Sequence, residues 1–307
     1  GQGGNTLAYS SNGIGWTGIG NKTFDLSGLV VTWVGTKWVS GGTGNGNTLA
    51  YSTDGLNWTG LGKTIFATSC NALACNNRRE HTVVIPPNLI VATGTGTVNT
   101  LAYSNDGLTW TGLGKTVFIT AGNSAEWNGR MWIAAGQGGN TLAYSSNGIQ
   151  WTGLGASVFS VNGTAVAWNG SLWVAGGQGT NHTLAYSYDG TSWSGLSKTI
   201  FDTACYSVAW NGSIWLAAGT NSSVGRIAYS TNGINWTNTG TTVFSTNAYN
   251  ATWNGSLWVA GGSGTNSLAY SYDGLSWTGL GLAPFSTSCL DIAWNGTMWV
   301  AVGSGTH

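Results

Sequence analysis

Charge is what this chain has least of. Charged residues make up 6% of its 307 residues, against roughly 25% in an ordinary soluble domain. Nine Lys and Arg balance nine Asp and Glu, leaving a net charge of zero. Such a chain offers no basic field to nucleic acid or to an anionic bilayer, and neither partner is expected. A surface this neutral tends to associate, which points to an assembled, packed or glycosylated setting. Apolar runs are short, so no membrane insertion is expected. Proline is down to 3 residues and methionine to 2. No signal-peptide pattern and no initiator Met precede the first residues; the chain reads as a mature form, an excised domain or the ordered part of something larger.

What is abundant is repetition. Thr-Leu-Ala-Tyr-Ser or a close variant starts at Thr6, Thr48, Thr100, Thr141, Thr183, Arg226 and Ser267, at spacings of 42, 52, 41, 42, 43 and 41 residues. A period near this length, filled with short apolar runs and turns supplied by 51 Gly, is the signature of a β-propeller. The expected fold is all-β: one seven-bladed propeller over residues 1–307, with four antiparallel strands per blade.

The clearest repeat is Ser207–Thr237. Ser207–Trp210 reads as strand A, Asn211-Gly212 as a two-residue hairpin turn, Ser213–Ala218 as strand B, Arg226–Ser230 as strand C, and Ile234–Thr237 as strand D. Strands A to C are apolar on both faces, as stacked blades require. Tryptophan tests the parsing. Trp16, Trp58, Trp110, Trp151, Trp193, Trp236 and Trp277 fall in strand D. Strand A ends in Trp33, Trp127, Trp168, Trp210, Trp253 and Trp294, and strand B carries Trp38, Trp132, Trp173, Trp215, Trp258 and Trp299. These slots hold all 19 Trp of the chain, and wedge-filling between blades explains them. In blade two Cys75 and Ile90 replace the two hairpin Trp, and an insertion at 76–87 accounts for the long spacing. After Trp299–Gly303 the next element due is a strand C, and the N-terminal Thr6–Ser10 supplies it. The last blade is therefore expected to take strands A and B from 286–303 and strands C and D from 1–18, which removes the open edge.

Four cysteines, Cys70, Cys75, Cys205 and Cys289, complete the inventory. Cys70, Cys205 and Cys289 share one repeat position in blades that are not neighbours, and Cys70 and Cys75 face opposite ways in one strand. All four read as unpaired thiols serving as small hydrophobes, which favours folding in a reducing compartment.

The corner between strands C and D repeats as Ser-x-(Asp/Asn)-Gly-x-x-Trp, as in Ser52–Trp58, Ser104–Trp110, Ser187–Trp193 and Ser271–Trp277. It resembles the Asp-box (BNR) repeat of sialidase-like propellers, with one residue fewer between Asp and Gly, and the resemblance spans all seven repeats. In that family the box is a structural turn on the face opposite the catalytic one. The residues independently favour a structural turn. Asn12, Asn147 and Asn232 stand where Asp54, Asp106, Asp189 and Asp273 stand in other blades. A calcium ligand would not so readily lose its charge, whereas Asp and Asn both suit a tight turn. No metal and no cofactor are expected.

A sialidase needs an arginine cluster, a Tyr/Glu nucleophile pair and an acid. The four arginines here are Arg78 and Arg79 in the insertion, Arg130 in an A–B turn, and Arg226, the only one near the other face. Glu80 and Glu126 lie in different blades, four aspartates are used in corners, and Asp25, Asp202 and Asp291 complete no acid/base pair. Catalysis is not expected. Gly60–Thr64 and Gly112–Thr116 mimic a phosphate loop but lack its first glycine. The departures from the repeat mark the interaction candidates. Arg78-Arg79-Glu80-His81 is the densest charge cluster, in the one insertion. Lys22, Lys63, Lys115 and Lys198 share a position after strand D and should rim the face opposite the corners. Glu126 and Asp291 should face the axis. Eleven Asn-x-Ser/Thr sequons occur, several of them the Asn-Gly-Ser/Thr hairpin turn itself, so they argue little for glycosylation.

Three readings follow. One is a non-catalytic recognition propeller, lectin-like, with a glycan or protein partner in a larger assembly. The second is a structural or surface component of a virus particle or extracellular layer. The third, the least supported, is a sialidase-like glycosidase. An extracellular, surface or particle setting suits the first two.

Overall fold

The structure, a computed structural model, describes residues 4–76, 89–221, 225–240 and 243–305. Within them the chain is all-β, with 28 strands and no helix. The strands fall into seven repeated four-stranded antiparallel blades. Blade five shows the plan: strand A Ala204–Trp210, B Trp215–Thr220, C Ile227–Ser230 and D Thr237–Asn238, paired in that order. Blades one to six are built alike from consecutive strands, with strand A at Ser27–Trp33, Ser69–Cys75, Ala121–Trp127, Asn162–Trp168, Ala204–Trp210 and Asn247–Trp253.

Blade seven joins the two ends of the chain. Its strands A and B are Ser288–Trp294 and Trp299–Ser304; its strand C is Leu7–Ser10, paired with Trp299–Ser304, and its strand D is Thr17–Gly20. The blades form five four-stranded sheets and one of eight strands, because a single bridge, Ser263 to Ser288, links blades six and seven. Each strand A packs beside strand A of the next blade, and Ser288–Trp294 packs beside Ser27–Trp33 of blade one.

Three repeated contacts make the core. First, the chain's seven Phe, one per repeat, are at most 1% exposed. Each lies under a strand B glycine: a Cβ on Gly42 would come 2.7 Å from the Phe24 ring, and one on Gly262 would come 2.3 Å from Phe244. Burying such a ring contributes about 1.5–3 kcal/mol, so Gly is kept at Gly42, Gly94, Gly136, Gly177, Gly219, Gly262 and Gly303. Second, Trp pairs close six hairpins, with ring centroids 5.0–5.3 Å apart; in blade two Cys75 opposes Ile90 instead. Third, neighbouring blades match residue sizes where a strand B meets the next strand A. Gly41, Gly176 and Gly261 face Cys70, Cys205 and Cys289, while Thr93, Ala135 and Val302 face Gly122, Gly163 and Gly28. A Cβ on Gly41 would meet the Cys70 sulfur at 2.6 Å, and one on Gly28 would meet Val302 Cβ at 2.7 Å. The three thiols thus fill notches opened by glycine, and none of Cys70, Cys205 and Cys289 is in a disulfide.

The structure moves several expected boundaries. Strand A of blade five begins at Ala204 rather than Ser207, and strand B at Trp215 rather than Ser213. The A–B hairpin tip is Gly212-Ser213 and not Asn211-Gly212. Asn211 sits on the shoulder, its N–H donating to the Ile214 carbonyl at 3.2 Å. Its side-chain oxygen accepts from the Ser213 and Ile214 N–H groups, so the carboxamide does the work of a main-chain acceptor. The corner Trp residues lie just before strand D, which shrinks to Thr237–Asn238 in blade five, because each indole N–H turns back to the corner glycine carbonyl. Every strand A also carries a β-bulge at its third residue, which the alternation of residues did not reveal. The insertion at 76–87 lies outside the described residues except for Asn76, whose side-chain oxygen accepts from Leu89 N at 3.0 Å.

Candidate functional site

Strand A of all seven blades contributes to the wall of one cavity of about 480 Å³. An extra residue in a strand kinks it and re-aims its side chains, and here the bulge falls at the same level in each blade. The seven bulged residues, Leu29, Asn71, Asn123, Thr164, Tyr206, Tyr249 and Leu290, all belong to the cavity wall. Several tie one blade to the next: Asn71 donates to the Gly122 carbonyl at 2.9 Å, Asn123 to that of Gly163 at 2.8 Å, and the Thr164 hydroxyl to that of Cys205. Tyr206 and Tyr249, from adjacent blades, form a tilted pair with centroids 5.5 Å apart. The Tyr206 hydroxyl accepts from Thr220 at 3.2 Å, and that of Tyr249 from Asn247 at 2.9 Å.

Both acids expected to face the axis line this cavity, and among the described residues no Lys, Arg or His does. Asp291, in blade seven, accepts from Val31 N of blade one at 2.8 Å and from Asn250 Nδ2 of blade six at 2.6 Å. It thus joins three blades. Desolvation in the wall pushes its carboxyl up to about 7, and the bond from Val31 opposes that only in part. The Asp291 charge also helps burial to raise the Cys289 thiol.

The corners lie on one face and the linkers between blades on the other. All seven corners share one set of bonds. In blade one the Ser52 hydroxyl donates to Asp54 and accepts from Gly55 N, and Asp54 Oδ1 accepts from Leu56 N and Asn57 N at 2.9 and 2.8 Å. Asn12 takes the same pair of bonds from Ile14 N and Gly15 N, both at 2.9 Å, as do Asn147 and Asn232 in their blades. Main-chain N–H groups hold Asp54, Asp106, Asp189 and Asp273 below the usual carboxylate range. Among the described residues no cluster of His, Cys, Asp and Glu could hold a metal ion.

On the linker face Lys22 is exposed, while Lys63, Lys115 and Lys198 are half-buried. Lys63 donates to the Gly44 carbonyl at 2.9 Å. It lies close enough to Asp25 to help the Asn45 hydrogen bonds lower that carboxyl. Arg226 is spent on structure: Nε and Nη2 donate to the Thr246 and Ser245 carbonyls of the linker into blade six, at 2.8 and 3.1 Å. Arg78, Arg79, Glu80 and His81 lie outside the described residues. The structure therefore brings Glu126 and Asp291 to one cavity and distributes the lysines among separate blades.

Reading single repeats missed a clamp on this face. The Asn before Thr-Leu-Ala-Tyr-Ser binds the linker entering its blade, and the Thr binds the linker leaving it. Asn47 donates to the Thr23 carbonyl at 3.1 Å, and Thr48 to that of Phe66 at 2.8 Å. Asn5-Thr6 and Asn99-Thr100 do the same. The signal was the recurrence of that Asn at Asn5, Asn47, Asn99, Asn140 and Asn266.

No protein-family model matches the chain, and no curated protein matches it. Among solved structures, the crystal structure of the computationally designed Ika8 protein is similar, with a TM-score of 0.55 and 15% identity over 91% of this chain and 81% of that one. At that identity the likeness concerns architecture alone: this chain has the repeated four-stranded blades of a propeller-like fold.

Proposed function

We propose that the blades close into a seven-bladed β-propeller of the Asp-box type and that it is a non-catalytic, lectin-like recognition disc. Pairing of Leu7–Ser10 with Trp299–Ser304 supports closure, as does the packing of Ser288–Trp294 beside Ser27–Trp33. The observation that carries recognition is the chemistry of the cavity wall. It combines the Tyr206–Tyr249 pair with the carboxamides of Asn71, Asn123 and Asn250, and it falls in the size range of small-ligand sites. Aromatic faces and neutral amides suit the alternating apolar and hydroxyl faces of a sugar. Among the described residues, Asp54, Asp106, Asp189 and Asp273 are engaged in corners and Asp291 in joining blades. A glycan array on the purified chain is expected to give hits that weaken about tenfold or more in Tyr206→Ala, the loss of one well-packed aromatic contact. No hit on the array overturns the reading. A fluorogenic glycoside panel is expected to stay silent.

The second reading, a structural component of a surface layer or particle, is favoured by Leu26, Val98 and Ile119. These are 62, 68 and 60% exposed on the linker face, where a packed neighbour would cover them. Light scattering that finds only monomers at high concentration counts against self-assembly through this face.

A further inference from the structure

Ten Asn-Gly pairs occur in the chain, and the fold divides them by the state of the glycine N–H. Five lie at the A–B hairpins: Asn128, Asn169, Asn211, Asn254 and Asn295 each stand on the shoulder, with the following glycine first in the tip. At each hairpin the Asn Oδ1 accepts two main-chain N–H bonds of 2.7–2.9 Å from the residues two and three further on. The glycine is exposed at φ between +97 and +105°. No atom lies within 4 Å of where its Cβ would be, and its N–H bonds to no described group. Three pairs, at Asn12, Asn147 and Asn232, form corners. There the glycine is buried, and its N–H donates to Ser10, Ser145 or Ser230 at 2.8–2.9 Å. Asn162-Gly163 lies inside a strand, and Asp25 holds the Asn45 side chain.

We infer that the five A–B hairpin pairs are sites of spontaneous deamidation and that the corner pairs are protected. The glycine nitrogen loses its proton to water and attacks the Asn Cγ. The Cγ–Nδ2 bond breaks, ammonia leaves, and the cyclic imide is opened by water to aspartate or isoaspartate. No other reactant is needed. The two N–H groups on Oδ1 face the oxygen that gains charge in the tetrahedral intermediate, as oxyanion donors do. Corner asparagines have the same two donors, but their nucleophile is occupied. Each event adds one carboxylate. Five would carry a chain of zero net charge to a net charge of −5, all on the corner face, and would oppose association through it.

The test is peptide mapping by mass spectrometry, with isoaspartate detection, on the intact chain aged in mildly alkaline buffer. Tip peptides are expected to deamidate about tenfold or more faster than corner peptides, the factor one buried hydrogen bond controls. In denaturant the two sets should converge, because the local sequence is Asn-Gly in both. Equal rates in the folded chain overturn the inference, and so does a difference that survives unfolding. Ser230→Ala frees the Gly233 N–H and should accelerate Asn232 alone; an unchanged rate there shows that the hydrogen bond is not the protecting element.

Discussion

Asp291 is the residue whose charge state the fold perturbs most usefully. Its carboxyl is pushed up to about 7 from an ordinary 3.8 by desolvation. A group whose folded value is raised binds its proton more tightly when folded. Its contribution is fully present below 3.8, and stability falls as pH rises from there toward 7. The corner aspartates carry the opposite sign: held below the usual range, they favour the fold above it and lose that contribution only in stronger acid. The two windows therefore separate. Urea midpoints for the parent chain are expected to drop between pH 4 and pH 7 by the equivalent of about 1–3 kcal/mol. Asp291→Asn should flatten that slope whatever it does to the absolute value. A parent and variant with parallel profiles would show that the carboxyl is not proton-linked to folding. That Asp291 lines the cavity was legible from its place in strand A. That it binds blades one and six was not, because both partners lie in other repeats and one is a main-chain N–H.

At the scale of elements, the interblade contacts are matched in size. Gly28 accommodates Val302, and Cβ atoms on both would overlap at 2.7 Å. Gly28→Ala is expected to destabilise the chain by about 1–3 kcal/mol, as overpacking does. Val302→Gly, which removes the Cβ that Gly28→Ala would strike, should cost about 2–4 kcal/mol through lost volume and a freer backbone. The double variant should be less harmful than the sum by at least about 0.5 kcal/mol. Strict additivity in denaturation would mean the two side chains do not share one space. The strands themselves were legible, because apolar runs and Trp slots recur in each repeat. The bulge in every strand A was not, since an extra residue leaves no mark on a strand buried on both sides. The size matching was hidden for a related reason: Gly41 and Cys70 stand in different repeats and look, one at a time, like ordinary glycine and cysteine.

For the molecule as a whole, the join in blade seven decides cooperativity. Without Leu7–Ser10 and Thr17–Gly20, strand Trp299–Ser304 becomes an open edge, and such edges pair with other chains. A variant lacking residues 1–20 is expected to lose its single sharp unfolding transition and to associate in light scattering. A monomeric, cooperatively unfolding product would overturn the role given to these strands. Seven repeats and the return of the first copy to the last blade could be read from the order of motifs alone. The cavity wall could not, because its chemistry is assembled from one strand in each of seven blades. The matched contacts also bear on blade order. Blades one, four and six end in a glycine notch that awaits a cysteine. A recombination that removed blades two to four would still set Gly41 against Cys205 and leave that junction packed. One that brought blade two after blade seven would drive Cys70 into Val302. The order in which such similar blades can follow one another is thus limited by which junctions are sterically silent.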